Sequence, residues 1–199
     1  PDVPGWYVIM LEVSDRKEAG NPDFLSILAI APNDDPDEDG LSSQCELSLE
    51  TDPFDGDHDD DGLLDGEEDA NSDCEVGSSE TDPRRSDTDG DGLQDGTELG
   101  RVVPSAATDE TAFVPDADPT TITYPLLVDT DWGGEADGRE DRNHNGRVDS
   151  GESDPLDPDD DDGDSDGLTY FHERVWGCDP FDTDSDDDGL SDGVEDSNG

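Results

Sequence analysis

The sequence has few of the residues from which a soluble domain ordinarily builds its interior. Hydrophobic residues make up 27% of the 199 positions, whereas globular domains use about 45–50%. Basic residues are also scarce, because 9 Lys and Arg stand against 61 Asp and Glu and leave a formal net charge of -52. A chain with this balance cannot bury enough apolar surface to offset its conformational entropy. Order therefore requires that something neutralise the acid.

The same scarcities exclude several partners. A surface this negative repels nucleic acid and anionic membranes, so we expect neither as a partner. No apolar run approaches the roughly 20 residues of a membrane span, and we predict none. A salt-adapted protein would also be rich in Asp and poor in Lys. That alternative explains the charge, but it does not explain how the acid is spaced.

The acid is arranged in a twelve-residue pattern. The segment Asp87–Glu98 (DTDGDGLQDGTE) has aspartate at positions 1, 3, 5 and 9, glycine at position 6 and glutamate at position 12. A calcium-binding loop needs oxygen ligands on alternate residues, a glycine at the sharp turn and a closing glutamate that binds with both oxygens. A solvated acidic linker is the alternative for a single copy of the pattern.

The pattern D-x-[DN]-x-[DN]-G-x5-E recurs, which argues against a linker. We name each loop by its first residue, so that loop 87 is Asp87–Glu98. The complete copies are Asp35–Glu46, Asp57–Glu68, Asp87–Glu98, Asp141–Glu152, Asp162–Glu173 and Asp184–Glu195. Two degenerate copies are Asp69–Glu80, with Cys74 at position 6, and Asp129–Glu140, with Gly133 at position 5. Tyr170 stands at position 9 of loop 162, which is a third departure.

The predicted calcium ligands are the oxygen-bearing side chains at positions 1, 3, 5, 9 and 12. We expect them to hold roughly six to nine Ca2+ ions per chain. They are Asp35, Asp37, Asp39, Glu46, Asp57, Asp59, Asp61, Asp65, Glu68, Asp69, Asn71, Asp73, Glu80, Asp87, Asp89, Asp91, Asp95, Glu98, Asp129, Asp131, Asp137, Glu140, Asp141, Asn143, Asn145, Asp149, Glu152, Asp162, Asp164, Asp166, Glu173, Asp184, Asp186, Asp188, Asp192 and Glu195.

Short Asp-Pro connectors separate many of the loops. Proline keeps the preceding residue extended and stops a helix. The connector aspartates are further candidate ligands that bridge successive sites, and they are Asp52, Asp82, Asp154 and Asp179. Spacings of 12 or about 22 residues leave no room for the paired helices of an EF-hand sensor. The repeats therefore predict a mostly irregular, calcium-stabilised elongated array with short β-strands and little helix.

Two low-acid segments divide the chain into four parts. Residues 1–32 contain two strand-like apolar runs, Trp6–Val13 and Phe24–Ala31, which predict an N-terminal strand segment or hairpin. Residues 33–98 and 129–199 carry the calcium loops. Residues 99–128 form an insertion that we predict to be β-rich, so that small β elements are expected at 5–31 and 101–128.

The cysteines and histidines add little chemistry of their own. Cys45, Cys74 and Cys178 form no C-x-x-C pair and no zinc cluster. In an oxidising compartment Cys45 and Cys74 form the expected disulfide, because they lie in neighbouring repeats, and Cys178 stays free or pairs outside the segment. No H-E-x-x-H, nucleophile elbow or phosphate-binding loop occurs. The abundant carboxylates lack an apolar pocket to raise one partner's pKa, so we do not expect an enzyme.

The loops and connectors together resemble bacterial thrombospondin type 3 repeats. The resemblance rests on TDPFDGDHDDDGLLDGEED, TDPRRSDTDGDGLQDGTE, DRNHNGRVDSGESDP and DPFDTDSDDDGLSDGVED. It covers about residues 33–98 and 129–199 and excludes the two low-acid segments. It implies an irregular chain wrapped around a row of calcium ions, secreted or on the cell surface, acting as a rigid spacer or an adhesive element.

The leading hypothesis is an extracellular calcium-binding structural protein stiffened by its ions. It either self-assembles head-to-tail into a filament, through the strand Trp6–Val13, or forms a surface stalk within a longer polypeptide. Asp196, Asn198 and Gly199 look like the start of a further loop, which fits head-to-tail joining. The alternative is a calcium-dependent adhesion or binding module, an adhesin or a dockerin-like domain, in a larger secreted protein.

Overall fold

A computed structural model of the chain describes residues 8–12 and 26–196. Its elements are β1 (Val8–Glu12), β2 (Ser26–Ile30), α1 (Ser43–Leu49), α2 (Asp65–Glu68), α3 (Asp95–Glu98), α4 (Asp137–Glu140), α5 (Tyr170–Trp176) and α6 (Asp192–Asp196). Turns and irregular backbone make up the rest of the described chain, so the predicted mostly irregular fold with little helix is confirmed. The outer ends of the predicted strands, the polar link between them and the start of a further loop lie outside the described residues.

The two strands form an antiparallel pair. Val8 lies opposite Ile30, and Glu12 lies opposite Ser26. Both strands fall inside the apolar runs that the sequence marked, and within the described chain the sheet contains these two strands alone. Ile30 is buried at the end of β2, immediately before loop 35. A two-stranded pair is marginal in water by itself.

Each helix begins at the ninth position of a loop. Helices α2, α3 and α4 have four residues and end at the closing glutamate, whereas α1 and α5 have seven and run on past it. Gly177 caps the C-terminal end of helix α5, and its φ of 87° lies in the left-handed region that glycine adopts readily. In the described part of the chain, no helix has the length and apolarity needed to cross a membrane.

The prediction of a β-rich insertion is wrong, because the structure contains no strand between residues 99 and 128. The segment instead bonds to the side chains of neighbouring loops. The Thr108 hydroxyl donates to the Asp57 carboxylate, and the Thr123 hydroxyl donates to Glu98 at 3.0 Å. Phe113 is buried against loop 57. These contacts replace a strand ladder, which the prolines of this segment would also interrupt.

The small apolar interior comes from the leucine that follows the loop glycine. Leu41, Leu63, Leu93 and Leu168 are at most 5% exposed. Other large apolar side chains of the loops, connectors and α5 lie at the surface and are more than 40% exposed, namely Leu190, Phe54, Leu156, Trp176 and Phe181. The buried apolar surface in the described part of the chain is therefore small, and most of the largest fully buried side chains there are carboxylates.

Candidate metal centres

All eight loops share one backbone conformation. The residue at position 4 has positive φ in every loop, as does the residue at position 6. Position 6 is glycine in seven loops, because a side chain is strained in this left-handed region. Loop 69 keeps the same conformation with Cys74 there, at φ 64°. The two degenerate copies therefore have the loop shape of the complete ones.

Two aspartates fix this shape through backbone hydrogen bonds. In every loop the position-1 carboxylate accepts the N–H of position 6, at 2.6–3.2 Å. In seven loops the position-5 side chain accepts the N–H of position 7, as Asp61 does from Leu63 at 2.7 Å. Loop 129 lacks this bond, since Gly133 has no side chain. These bonds hold the carboxylates on the inner side of the turn.

At positions 3 and 12 of five loops, the carboxylates contain buried oxygens that have no hydrogen-bond donor. In loops 35, 57, 87, 129 and 162, at least one oxygen of each has no partner in the protein. At position 3 these residues are Asp37, Asp59, Asp89, Asp131 and Asp164, and at position 12 they are Glu46, Glu68, Glu98, Glu140 and Glu173. A buried carboxylate without a donor is costly unless it pairs with a cation or becomes protonated. The same two positions recur in all five loops, which is the pattern of a repeated cation site.

The electrostatics of these groups follow from their crowding. Burial, together with the charge of neighbouring aspartates, raises the pKa of Glu68 and of Glu98 to about 10. Burial and then the adjacent aspartates raise the pKa of Glu46 and of Asp59 to about 8. Without a cation these groups would hold protons at neutral pH. A divalent ion at the centre removes that penalty by compensating the charge.

Several acidic groups bring their oxygens close enough to hold a metal ion. Asp35, Asp37 and Asp39 form one such group, and Asp57, Asp59 and Asp61 form another, with ligand oxygens within 4.8 Å of one another. Asp69, Asp73 and Glu80 form a third group. Carboxylate and amide oxygens with no soft ligand suit hard cations such as Ca2+, Mg2+ and Mn2+.

One position-9 aspartate, Asp95, reaches beyond its own loop. Asp95, in loop 87, groups with Asp61 and Glu68 of loop 57. Within loop 87, Asp95 accepts the N–H of Thr88 at 2.8 Å and the Thr88 hydroxyl at 2.6 Å. The sequence had assigned Asp95 to its own loop as a ligand. In the structure Asp95 lies near both its own loop and the ligands of loop 57.

Successive loops are joined by a second oxygen of the position-5 aspartate. In four loops this oxygen accepts the backbone N–H of the glycine at position 10 of a later loop, and we call the loops linked in this way the stack. The four aspartates are Asp39, Asp61, Asp91 and Asp166. Those glycines are Gly66, Gly96, Gly138 and Gly193, at 2.5–3.1 Å. A Cβ on any of the four would overlap the backbone carbonyl of the same aspartate. Sequence reasoning missed this link, although the Asp-Gly pair at positions 9 and 10 marks it.

Three loops use their predicted ligands differently. In loop 69 both Glu80 oxygens accept backbone N–H groups. In loop 141 the Asn143 amide donates to Asp149 at 3.1 Å and to Glu152 at 2.9 Å. In loop 184 the side chains at positions 3, 5 and 12 are exposed. These three loops lack the buried, donor-free oxygens that the other five have at both positions 3 and 12.

The connector aspartates lie in turns. Asp52, Asp154 and Asp179 each accept the backbone N–H of the residue two positions later, at 3.1–3.3 Å. Asp82 accepts the guanidinium of Arg84 at 2.8 and 2.9 Å. These bonds to Arg84 hold the pKa of Asp82 below its usual value. The observed contacts thus give the connector aspartates a turn-forming role.

A disulfide joins two of the acidic repeats. Cys45 in α1 is bonded to Cys74 at position 6 of loop 69, with a Cα–Cα distance of 4.8 Å. The bridge spans 29 residues and encloses loop 57. Cys178 is a free thiol.

Two buried aspartates with a donor-free oxygen lie outside the predicted ligand set. Asp116, in the insertion, is 2% exposed, and Asp161, immediately before loop 162, is fully buried. Neither occupies a loop position from 1 to 12, so the motif gave no signal for them.

Comparison with models of protein families, with curated proteins and with solved structures gives no match. The function is therefore argued from this chain's own residues.

Proposed function

We propose that the protein is an extracellular calcium-binding structural protein, in which a row of bound ions stiffens an elongated chain. The ions act as its interior, since buried carboxylates outnumber buried apolar side chains. The resemblance to thrombospondin type 3 repeats supports the same assignment. The observation that carries it is the repetition, in five loops, of buried carboxylate oxygens without a hydrogen-bond donor at positions 3 and 12.

Calcium fits these sites better than the other hard cations. Its flexible coordination takes six to eight oxygens, including a bidentate glutamate, whereas magnesium demands near-octahedral geometry and keeps several waters. Two free oxygens on Glu46, Glu68, Glu140 and Glu173 suit bidentate binding. The proposed count remains roughly six to nine ions per chain, with loops 35, 57, 87, 129 and 162 as the most enclosed sites. At millimolar external calcium, even sites with a dissociation constant of about 10⁻⁴–10⁻³ M are appreciably filled.

A calcium titration tests the proposal. Native mass spectrometry counts the ions, while circular dichroism and small-angle X-ray scattering follow the shape. We expect calcium to order and stiffen the chain, because ligand binding is coupled to folding when the unfolded chain holds no site. Magnesium at the same concentration is the control and should have a smaller effect. An identical scattering profile and unfolding curve with calcium and with chelator would overturn the proposal.

Self-assembly is the more specific form of this function. Within the described chain, β1 and β2 form a sheet of two strands, and each strand of such a sheet has an outer edge to which another chain's strand can add. Electron microscopy of the calcium-loaded protein should show filaments formed by head-to-tail contact. The variant Met10→Pro removes a backbone donor inside β1 and should abolish filaments while the ion count stays unchanged. Monomers at high protein concentration would instead favour a stalk.

A calcium-dependent adhesion module is the second candidate. The observation that favours it is the apolar surface of α5, where Phe171, Val175 and Trp176 are 46–61% exposed. Exposed aromatic and apolar groups of this kind occur at binding sites. An adhesin or dockerin-like module should remain monomeric with calcium and expose this surface only when loaded. Calcium-independent exposure of Trp176 to a fluorescence quencher would argue against this candidate.

A further inference from the structure

We call the residue immediately before a loop its position 0, and at the junction of loops 35 and 57 this residue lies next to position 5 of the earlier loop. Its carbonyl accepts the N–H of position 9, as in the bond from Asp65 to Gly56 at 3.1 Å. A side chain at position 0 would point toward the earlier loop, since a Cβ on Gly56 would lie 3.0 Å from the Cβ of Asp39. At this junction position 5 is aspartate and position 0 is glycine.

The junction between loops 129 and 162 has these two residue types exchanged. Position 5 is Gly133 and position 0 is Asp161. The Asp161 carboxylate fills the space in which a side chain on Gly133 would begin. It accepts the N–H of Glu135 at 3.3 Å, the position-7 bond that a position-5 side chain makes in the seven other loops. Asp161 therefore supplies, from 28 positions further along the chain (161 minus 133), the interaction that loop 129 lacks.

The buried oxygens around Asp161 point to a ligand. Asp161 and Glu140 are fully buried. Asp161 Oδ1, both oxygens of Glu140 and Asp131 Oδ2 have no hydrogen-bond donor in the protein. Asp129 accepts two backbone N–H groups, from Trp132 at 2.6 Å and Gly134 at 3.0 Å, as position 1 does in a complete loop. The four carboxylates are charge neighbours of one another, and three of them have unpartnered oxygens.

A second departure from the repeat accompanies the exchange. At four junctions a position-5 aspartate reaches forward to a position-10 glycine of the next loop. Gly133 cannot make that bond, and position 10 of loop 162 is Phe171. At those four junctions a Cβ at position 10 would overlap the backbone carbonyl of the linked aspartate, so the link and the glycine are lost together at this junction.

We propose that Asp161 is the missing ligand of loop 129, completing a calcium site with Asp129, Asp131 and Glu140. The ion at this site then ties loop 129 to the segment that carries loop 162. This assignment rests on calcium binding by the loops in general. It adds a ligand from outside the twelve-residue motif and restores a site that the sequence of loop 129 leaves incomplete.

Terbium, a luminescent ion that substitutes for calcium in oxygen sites, reports on this site selectively. Trp132 is position 4 of loop 129 and sensitises an ion bound in the same loop. The protein is made with Trp6 and Trp176 replaced by phenylalanine, so that Trp132 is the remaining indole. Asp161→Asn should weaken the Trp132-sensitised signal, with an apparent affinity lower by about tenfold or more, since affinity follows ligand charge. Asp159→Asn removes the same charge from a neighbouring exposed position and should leave the signal unchanged.

The double variant Gly133→Asp/Asp161→Gly tests the exchange directly. Gly133 does not have left-handed φ, and removing the Asp161 side chain removes the two nearest obstacles to a Cβ there. The Cα of Pro158 remains 2.9 Å from that Cβ, so the backbone at Pro158 has to move by a few tenths of an ångström to admit the aspartate. We expect the swap to recover the terbium signal and the ion that Asp161→Asn loses in native mass spectra. A wild-type-like signal in Asp161→Asn, with the other ions retained, overturns the assignment of Asp161, as does a swap variant as weak as Asp161→Asn. A parent protein that binds neither terbium nor calcium at any loop overturns the calcium-binding function itself.

Discussion

Asp61 Oδ2 accepts a hydrogen bond from the backbone N–H of Gly96 at 3.1 Å, across 35 residues of sequence. The other Asp61 oxygen accepts the N–H of Leu63 in its own loop at 2.7 Å. One carboxylate therefore shapes its loop and positions the next one. It also lies with Glu68 and Asp95 in a group suited to a cation, so loop geometry, stacking and metal binding depend on the same side chain.

The first prediction concerns this contact. In Gly96→Ala, the added Cβ would overlap the carbonyl of Asp61, so loops 57 and 87 must separate. We expect the free energy of unfolding of the calcium-loaded protein to fall by about 1–3 kcal/mol, as for other overpacked sites. Gln44→Ala is the matched control, because Gln44 occupies position 10 of loop 35 and is exposed. Urea unfolding measures both, and equal effects would contradict the stacking contact.

The second prediction is a reversal of pH dependence by calcium. The pKa of Glu68 and of Glu98 is about 10 in the metal-free fold, against about 4.3 in an unfolded chain. Below both values the two states are equally protonated and no penalty arises. As the pH rises between them, the unfolded chain loses its protons first, so the metal-free fold loses stability.

Calcium should reverse that slope, because it binds ionised carboxylates and competes with protons. The loaded protein should gain stability between about pH 4.5 and 7.5, while the chelated protein loses it. Urea unfolding at several pH values, with calcium and with chelator, measures the two slopes. Slopes of the same sign would show that these carboxylates do not hold the ion.

The third prediction separates binding from folding at one ligand. Glu98 Oε1 accepts the Thr123 hydroxyl at 3.0 Å, and Oε2 has no donor. Glu98→Gln keeps the shape but removes the charge. We expect calcium affinity at this site to fall by about tenfold or more, while the metal-free protein becomes more stable. Glu110→Gln, at an exposed position, should change neither quantity in calorimetric titration and urea unfolding.

The fourth prediction concerns the insertion. The buried Thr108 donates its hydroxyl to Asp57, which anchors residues 99–128 on loop 57. Thr108→Val removes the donor and should lower the free energy of unfolding by about 1–2 kcal/mol. Thr111→Ala removes an exposed hydroxyl that bonds only within its own turn, to Asp109, and serves as the control. A loss no greater than the control's would mean that the insertion does not depend on this bond.

The loop conformation was accessible from sequence because it depends on residues that are close in the chain. The position-1 aspartate and the position-6 glycine of a loop are five residues apart, as Asp57 and Gly62 are, and their hydrogen bond follows from that spacing. The mostly irregular backbone follows likewise from the scarcity of apolar residues and from the Asp-Pro connectors. The strands of the N-terminal segment were visible as apolar runs for the same local reason.

The insertion was predicted wrongly because strand-like composition does not identify a partner. Residues 101–128 contain β-branched and aromatic side chains, yet their hydroxyls and backbone bond to loops 57 and 87. Propensity gives way where such tertiary contacts are available. Phe113 illustrates the point, since it is buried against Gly62 rather than in a sheet.

The sequence by itself determined which residues carry ligand oxygens and how each loop folds around them, because those relations are fixed within twelve residues. Only the tertiary structure decided which loops meet. Asp91 bonds to Gly138 across 47 residues, and Asp161 enters loop 129 through its bond to Glu135 across 26. Contacts of this range depend on how the stacked loops pack, and no local spacing encodes them.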